Sequence, residues 1–484
     1  MFVEGNQLLS GLIPYKEVFI MYGYITTVLH AFSLLLFGKH VLSVSIITGI
    51  IYALTFPIFF LILRNFRIES KQSILSILVI FLIHPCIILP WPNYIAYFFS
   101  LLGIYYVTKN NILKKDYFLA GFFWSLACLS RQTYFLPLFV IILIIIFTQF
   151  FLRKHDLLLI KKNFFKRFEP FFLLIGFLLS ILIFFFYLIY NEIFIYWKYL
   201  TFNLSKDSFN YVFFFAKNSS SFFSTIFQLI KPYKDFFLAK DLKSFIFLII
   251  VLFNILILVN SFKKNFNLKI FYMATLCILM LSQIIHSISV FRLSTGVIIG
   301  FLTIIIYFKD NKIFKKFLYF LIFCLLFSSG YNINNFFKSK INYVNPDLDY
   351  YRFEKLPKNI SNFYQDFFST VTDVKSHYVI NKNFNYTHMP MLAFLSETTS
   401  HQIGTYYEIA VEKFYFQIPE FIGLNNSLQS LDDVIIFYPS YNENIVDEKF
   451  INNFFIYKSI YFPYFDNKNY IQLLIAKNAK KIIR

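Results

Sequence analysis

The chain of 484 residues is 58% hydrophobic and 22% aromatic, more apolar than a water-soluble core of that length requires, so lipid must be part of its solvent. Its formal charge of +19 does not make it a nucleic-acid binder, because Lys and Arg fall in short loops between apolar stretches rather than along one face. Cys86, Cys128, Cys277 and Cys324 all lie in apolar stretches, which points to buried packing and excludes a disulfide framework or a thiolate metal site. The abundant Phe, Ile, Lys and Asn read as a base-composition bias, so Asn-X-Ser/Thr triplets such as those at Asn203 and Asn359 arise by accident.

Residues 1–40 come first, as a loop with interfacial helices. Within it, 18–37 are long enough to cross a bilayer, but Tyr22, Gly23, Tyr24, Thr26, Thr27 and His30 interrupt the apolar run and favour a helix lying at the interface. At about 20 residues per crossing, spans are expected near 41–63, 73–89, 93–108, 117–130, 132–152, 170–190, 244–260, 270–285, 294–308 and 317–333. Loops 64–72, 109–116, 153–169, 261–269 and 309–316 carry 19 Lys or Arg, against 9 in the longer opposite set, 90–92, 130–133, 191–243 and 286–293. The positive-inside rule then makes the first set cytoplasmic and turns residues 1–40, the 191–243 loop and the C-terminal domain outward, in a plasma (inner) membrane. The 191–243 loop, with Tyr196, Trp197, Tyr199 and Tyr211, reads as an amphipathic helix pair on the outer leaflet. After the bundle at 41–335, residues 336–484 turn polar. Ser376–Ile380, Val434–Tyr438 and Tyr470–Ala476 are expected as strands and 388–397 and 446–456 as helices, giving a small soluble α/β domain without a phosphate loop or nucleophile elbow. Asp432, Asp433, Glu408 and Glu412 in it read as solvated positions.

Residues 4–38 contain Leu8, Leu9, Gly11, Pro14, Tyr15, Lys16 and Glu17, then Tyr22 and Gly23, then Leu36, Phe37 and Gly38. This frame resembles the first outer loop of the GT-C glycosyltransferases that use polyprenyl-phosphate sugars, the group of the protein O-mannosyltransferases and the lipid A aminoarabinose transferase. Leu89 to Asn93 resembles the family's second outer loop, Ser130-Arg131-Gln132-Thr133 its basic position at the outer end of a span, and His286 to Arg292 a late outer loop with a basic residue. The resemblance implies a GT-C-like bundle of about ten transmembrane helices and a hexosyltransferase type of activity in cell-envelope glycan chemistry. In the family a catalytic acid stands well upstream of the Leu-Leu-x-Gly glycine; counted from Gly11 its place falls before Met1. Either the start was assigned late or the usual base is lost, and the first family span falls outside the sequence with it.

Transfer from such a donor needs a carboxylate to deprotonate or orient the acceptor hydroxyl and cations to stabilise the leaving phosphate, and a single in-line displacement inverts the anomeric centre. Glu4 and Glu17 are the acids of the first outer segment, with Glu4 the first choice for catalysis and Glu17 also suited to pairing or capping. Lys16, Arg131 and Arg292 are the phosphate candidates, since a cation buried at a span centre costs about 2.5–3.5 kcal/mol and Arg donates two parallel bonds to phosphate. Snorkelling to headgroups accounts for Arg131 as well. Tyr15, His84, Asn93 and His286 complete the polar outer set. No cofactor is required by the sequence, and a divalent cation stays open because some relatives use one. The expected partners are a polyprenyl-phosphate sugar, membrane lipid, and a glycan, lipid or protein acceptor. The alternatives are a transporter or flippase for a lipid-linked glycan, a polymerase or ligase of another fold, and a non-catalytic relative.

Overall fold

The structure, a computed structural model, describes every residue other than 17, 19, 21–22, 85–88, 153–167, 199, 202–241, 262–266, 285–289, 340–341, 353, 386–389, 397–398, 401–431, 440–451, 462, 464–469 and 483–484. Helices run in chain order as α1 (Phe2–Leu9), α2 (Tyr24–Phe37), α3 (Val41–Asn65), α4 (Ser70–Ile83), α5 (Pro92–Thr108), α6 (Lys114–Ser130), α7 (Phe135–Leu152), α8 (Phe171–Tyr190), α9 (Leu242–Ser261), α10 (Leu268–Leu279), α11 (Ile299–Tyr307) and α12 (Lys312–Ser339). Among the described residues each apolar segment from 41 to 333 is mainly helical, the one at 294–308 with a turn in it, and five of the helices are long and apolar enough to cross a membrane. They are Val41–Asn65, Gln132–Phe150, Phe171–Tyr190, Leu242–Ser261 and Lys312–Asn335. The last of these continues to Ser339, so the border with the polar region lies a few residues beyond the expected 335.

Helix α2 has 14 residues and spans about 21 Å, short of the roughly 30 Å of a hydrocarbon core. It buries Thr26, Thr27, His30 and Ser33 against α1, α3 and the end of α6 while Phe32, Leu35, Leu36 and Phe37 stay exposed. Of the 191–243 loop the described part includes a short helix, Phe194–Lys198, with Tyr196 buried against Tyr15 and Phe184; Tyr199 and Tyr211 lie outside the described residues.

Small residues set the tightest contacts. A Cβ added to Gly121 would lie 1.9 Å from the Leu173 carbonyl oxygen, and one on Gly176 would lie 2.1 Å from that of Phe118. Helices α6 and α8 thus meet backbone to backbone, which van der Waals packing in lipid favours. Next to them the Trp124 indole donates to the Ser100 carbonyl at 3.0 Å and ties α6 to α5.

At one end of the bundle, basic side chains serve helix ends. Lys109 reaches Asp116 at 2.7 Å and lies 4.5 Å from the Tyr106 ring centroid. Lys269 donates to the Thr108 and Lys109 carbonyls at 2.9 and 2.6 Å, closing the C-terminal carbonyls of α5, and Lys309 reaches the Phe66 carbonyl after α3.

The polar region folds as a mixed sheet with helices. Strands β1 (Lys382–Asn385), β2 (Thr399–Ser400), β3 (Val434–Pro439), β4 (Phe454–Tyr461) and β5 (Tyr470–Ala476) lie in the order β2-β1-β3-β5-β4. The first three are parallel, and β5 is antiparallel to both its neighbours. Helix α13 (Lys358–His377) covers one face with Phe363, Phe367, Val371 and Val374, and α14 (Pro390–Leu395) sits beside β1. The strands at 434–438 and 470–476 are present, and of the helix expected at 388–397 the described residues include Pro390–Leu395. The strand expected at Ser376–Ile380 is instead the end of α13 and a single bridge at Tyr378, and residues 454–456 of the expected second helix are strand. Phe2, Leu34 and Val44 share a core with Tyr351, Tyr364 and Leu392, and His40 Nδ1 meets the Asp349 carbonyl at 3.1 Å. The polar region is thereby seated on α1, α2 and the start of α3, at the end of the bundle opposite Lys109.

Candidate functional site

The end of the bundle near the polar region holds two joined groups of candidate residues. The first is built by residues 12–23. Pro14 and Val18 bridge, the Tyr15 amide donates to the Val18 carbonyl at 2.9 Å, and Tyr15 takes a φ of +64°. A non-glycine residue there costs about 1–3 kcal/mol, and the fold offsets it by burying the ring against Tyr24 and Phe184. Burial pushes the Tyr15 phenol well above its ordinary value, with Tyr24, Tyr187 and Glu4 adding to it. Glu4 is 8% exposed on α1 and its carboxylate lies 3.6 Å from the Met1 amine. Lys16 stands exposed at the turn, and Glu17 lies outside the described residues.

The second group forms around a break in a helix. Val290–Ser294 is a short helix, Thr295–Ile298 turns, and α11 resumes at Ile299. Gly296 and Ile298 both donate to the Leu293 carbonyl, which leaves the Ser294 and Thr295 carbonyls to side-chain donors. His84 Nε2 meets Ser294 O at 3.0 Å, the Tyr134 hydroxyl donates to Thr295 O, and the Asn93 amide donates to Thr295 Oγ1 at 3.3 Å. Irregular backbone inside a bundle persists only where protein groups satisfy it, as these do. His84 Nδ1 also faces a carbonyl, that of Ile80, at 2.7 Å. Carbonyls only accept, so a neutral ring donates to one of the two at a time. Lys243, 6% exposed, donates to the His84 carbonyl at 2.8 Å.

Arg131 joins the two groups. It is 3% exposed, in extended backbone just after α6, within electrostatic reach of Tyr134. Residue 130 before it receives the first loop: Thr26 donates to the Ser130 carbonyl at 2.9 Å, and a Cβ on Gly23 would meet the Leu129 carbonyl at 2.1 Å. Only glycine fits at that contact. Arg292 lies half-buried in the short helix, its carbonyl accepting from Thr295 Oγ1 at 3.1 Å. His84 and Asn93 therefore meet at the break, where Arg131 stands close through Tyr134 and Arg292 contributes its backbone carbonyl, and Glu4 and Tyr15 lie in the adjoining group; His286 falls outside the described residues.

Tyr134, Thr295 and Lys243 belong to the network although sequence reasoning passed over them. Tyr134 and Thr295 each sit within three residues of a candidate Arg, and Lys243 opens an apolar helix. Those positions were the available signal. Among the described residues no group of three His, Cys, Asp or Glu comes together, and Cys128, Cys277 and Cys324 are free thiols. Comparison of the chain with protein-family models, characterised proteins and solved structures finds no match.

Proposed function

We propose that the chain is a membrane glycosyltransferase that moves a sugar from a polyprenyl-phosphate donor to a glycan, lipid or protein acceptor, with inversion, on the outer face of the plasma membrane. One observation supports this above the others. Buried Arg131 lies where the first loop meets the break that carries Arg292, so cations and the Glu4 carboxylate stand at the same end of the bundle. Phosphate departure needs the former and acceptor activation the latter. In this reading the ten helical segments span a GT-C-like bundle, the 19 basic residues of the opposite loops face the cytoplasm, and the polar domain shields the site or receives the acceptor.

The test is turnover of a labelled undecaprenyl-phosphate hexose by the full chain in proteoliposomes, with an acceptor extract from the source envelope. Release of undecaprenyl phosphate by the wild type and its loss when Glu4, Glu17, Arg131 and Arg292 are replaced together is the expected result. Turnover unchanged in that variant overturns the site assignment, and none in the wild type overturns the activity.

A second reading, export of a lipid-linked glycan, draws on the interrupted helix at Thr295–Ile298, since broken helices line transporter sites. Movement of labelled lipid-linked glycan across sealed vesicles without cleavage of the sugar–phosphate bond would favour it.

A further inference from the structure

We infer that Asn93 and Tyr97, with Tyr134 and Thr295, form a subsite for hydroxyl groups of the transferred sugar. The inference rests on the transferase reading and adds to it the residues that would grip the sugar rather than the phosphate.

Asn93 and Tyr97 are four residues apart on α5 and so share one helix face. They are 1% and 0% exposed, yet Asn93 Oδ1 and the Tyr97 hydroxyl have no hydrogen-bond partner among the described residues. Polar atoms left so in a bundle core are costly, and natural proteins keep few of them. The neighbours fix where they end. The Asn93 amide is spent on Thr295 Oγ1, which aims Oδ1 as an acceptor beside the helix break. The Tyr97 phenol lies within electrostatic reach of those of Tyr52, Tyr94 and Tyr134.

An acceptor and a phenol on one helix face match a group that donates one hydrogen bond and accepts another, which is what an alcohol hydroxyl does. The surroundings favour a sugar ring as its bearer. Tyr52 and Tyr94 stand edge to face at 5.4 Å and give an aromatic wall, and Tyr134 brings Arg131 close, so a phosphate held by that guanidinium places its attached sugar toward α5. A site built to bond a hydroxyl discriminates strongly against a ligand that lacks it.

The test uses the full chain in lipid nanodiscs and two probes, undecaprenyl phosphate and undecaprenyl-phosphate hexose. Tyr97→Phe removes one oxygen and Asn93→Leu replaces the amide at similar volume. The expected result is a loss of about tenfold or more in affinity for the hexose-bearing carrier in each variant, with undecaprenyl phosphate bound as by the wild type. Tyr97→Phe should also keep or raise the thermal midpoint without ligand, since it deletes an unsatisfied group; this separates the effect from misfolding. Wild type that binds both carriers while the variants bind the hexose form equally well means that the two atoms hold water only, and the subsite falls while the transferase reading stands. Wild type that binds neither carrier overturns both.

Discussion

The two ends of the helical bundle use basic side chains differently. At the Lys109 end each cation serves the helix beside it: Lys109 pairs with Asp116, Lys269 closes the last carbonyls of α5, and Lys309 does the same after α3. At the Arg131 end the acceptors are carbonyls freed by an interrupted helix, and His84 and Tyr134 rather than lysines meet them. Helix termini must be closed wherever they occur, so the first arrangement follows from having helices at all. A break inside an apolar segment is a cost that regular secondary structure does not impose, and here one is kept next to buried Arg131, the position on which the proposed site rests.

The most severe test of this contrast is a matched pair of substitutions. Arg131→Ala is expected to cut sugar transfer by about 100-fold or more, the cost of removing a preorganised donor to developing negative charge, with Arg131→Lys recovering part of it. Lys109→Met, at the opposite end, is expected to leave transfer within about twofold of wild type. Equal losses in the two variants, measured as kcat/KM on the hexose carrier, would erase the functional distinction between the ends.

Next in size is Gly121→Leu. Its side chain would enter the space of the Leu173 carbonyl and push α6 from α8, at an expected cost of about 1–3 kcal/mol or more in stability. Because α6 ends at Ser130, where Thr26 docks, transfer should fall with the thermal midpoint. A folded Gly121→Leu chain with full activity would show that the α6–α8 contact does not position Arg131. His84→Leu is expected to cost about 1–3 kcal/mol, because it leaves the Ser294 carbonyl buried without its donor. Hydrogen exchange should then quicken at residues 293–300 and stay unchanged at 105–117. Uniform quickening would mean that the break is not held locally by His84.

What the sequence revealed follows the same division. Lipid forces every crossing segment to satisfy its own backbone, so apolar runs from Val41 to Gly330 were readable as helices without reference to partners. Helix α13 was missed although Phe363, Phe367, Val371 and Val374 recur at helical spacing, because its polar face hid the period beside a short β-like run at Tyr378–Ile380. At the site, Arg131, Arg292, His84 and Asn93 stood out as polar groups at the ends of apolar segments. Thr295 and Tyr134 did not, since their value comes from a backbone break that composition does not announce. Lys243 was counted among loop charges, whereas it opens α9 with its amine buried on His84.

The smallest expected effect belongs to the Lys109 pair and concerns pH. Partial burial works against the Lys109 charge, but hydrogen bonding and attraction to Asp116 outweigh it, so the amine is raised above its ordinary value. A folded-state value above the unfolded one means that the pair's contribution is fully present below about pH 10.4, the unfolded lysine range, and is lost as pH rises through the folded value. The side chain is 27% exposed, and solvent screening holds the contribution to at most about 1 kcal/mol. The thermal midpoints of wild type and Lys109→Met should therefore differ slightly at pH 8 and converge once pH has passed the raised folded-state value, where neither chain carries the charge. A gap that persisted undiminished at that pH would mean that Lys109 acts through packing of its aliphatic stem rather than through its charge, and the Lys109 end would no longer be explained by charge pairing at helix ends.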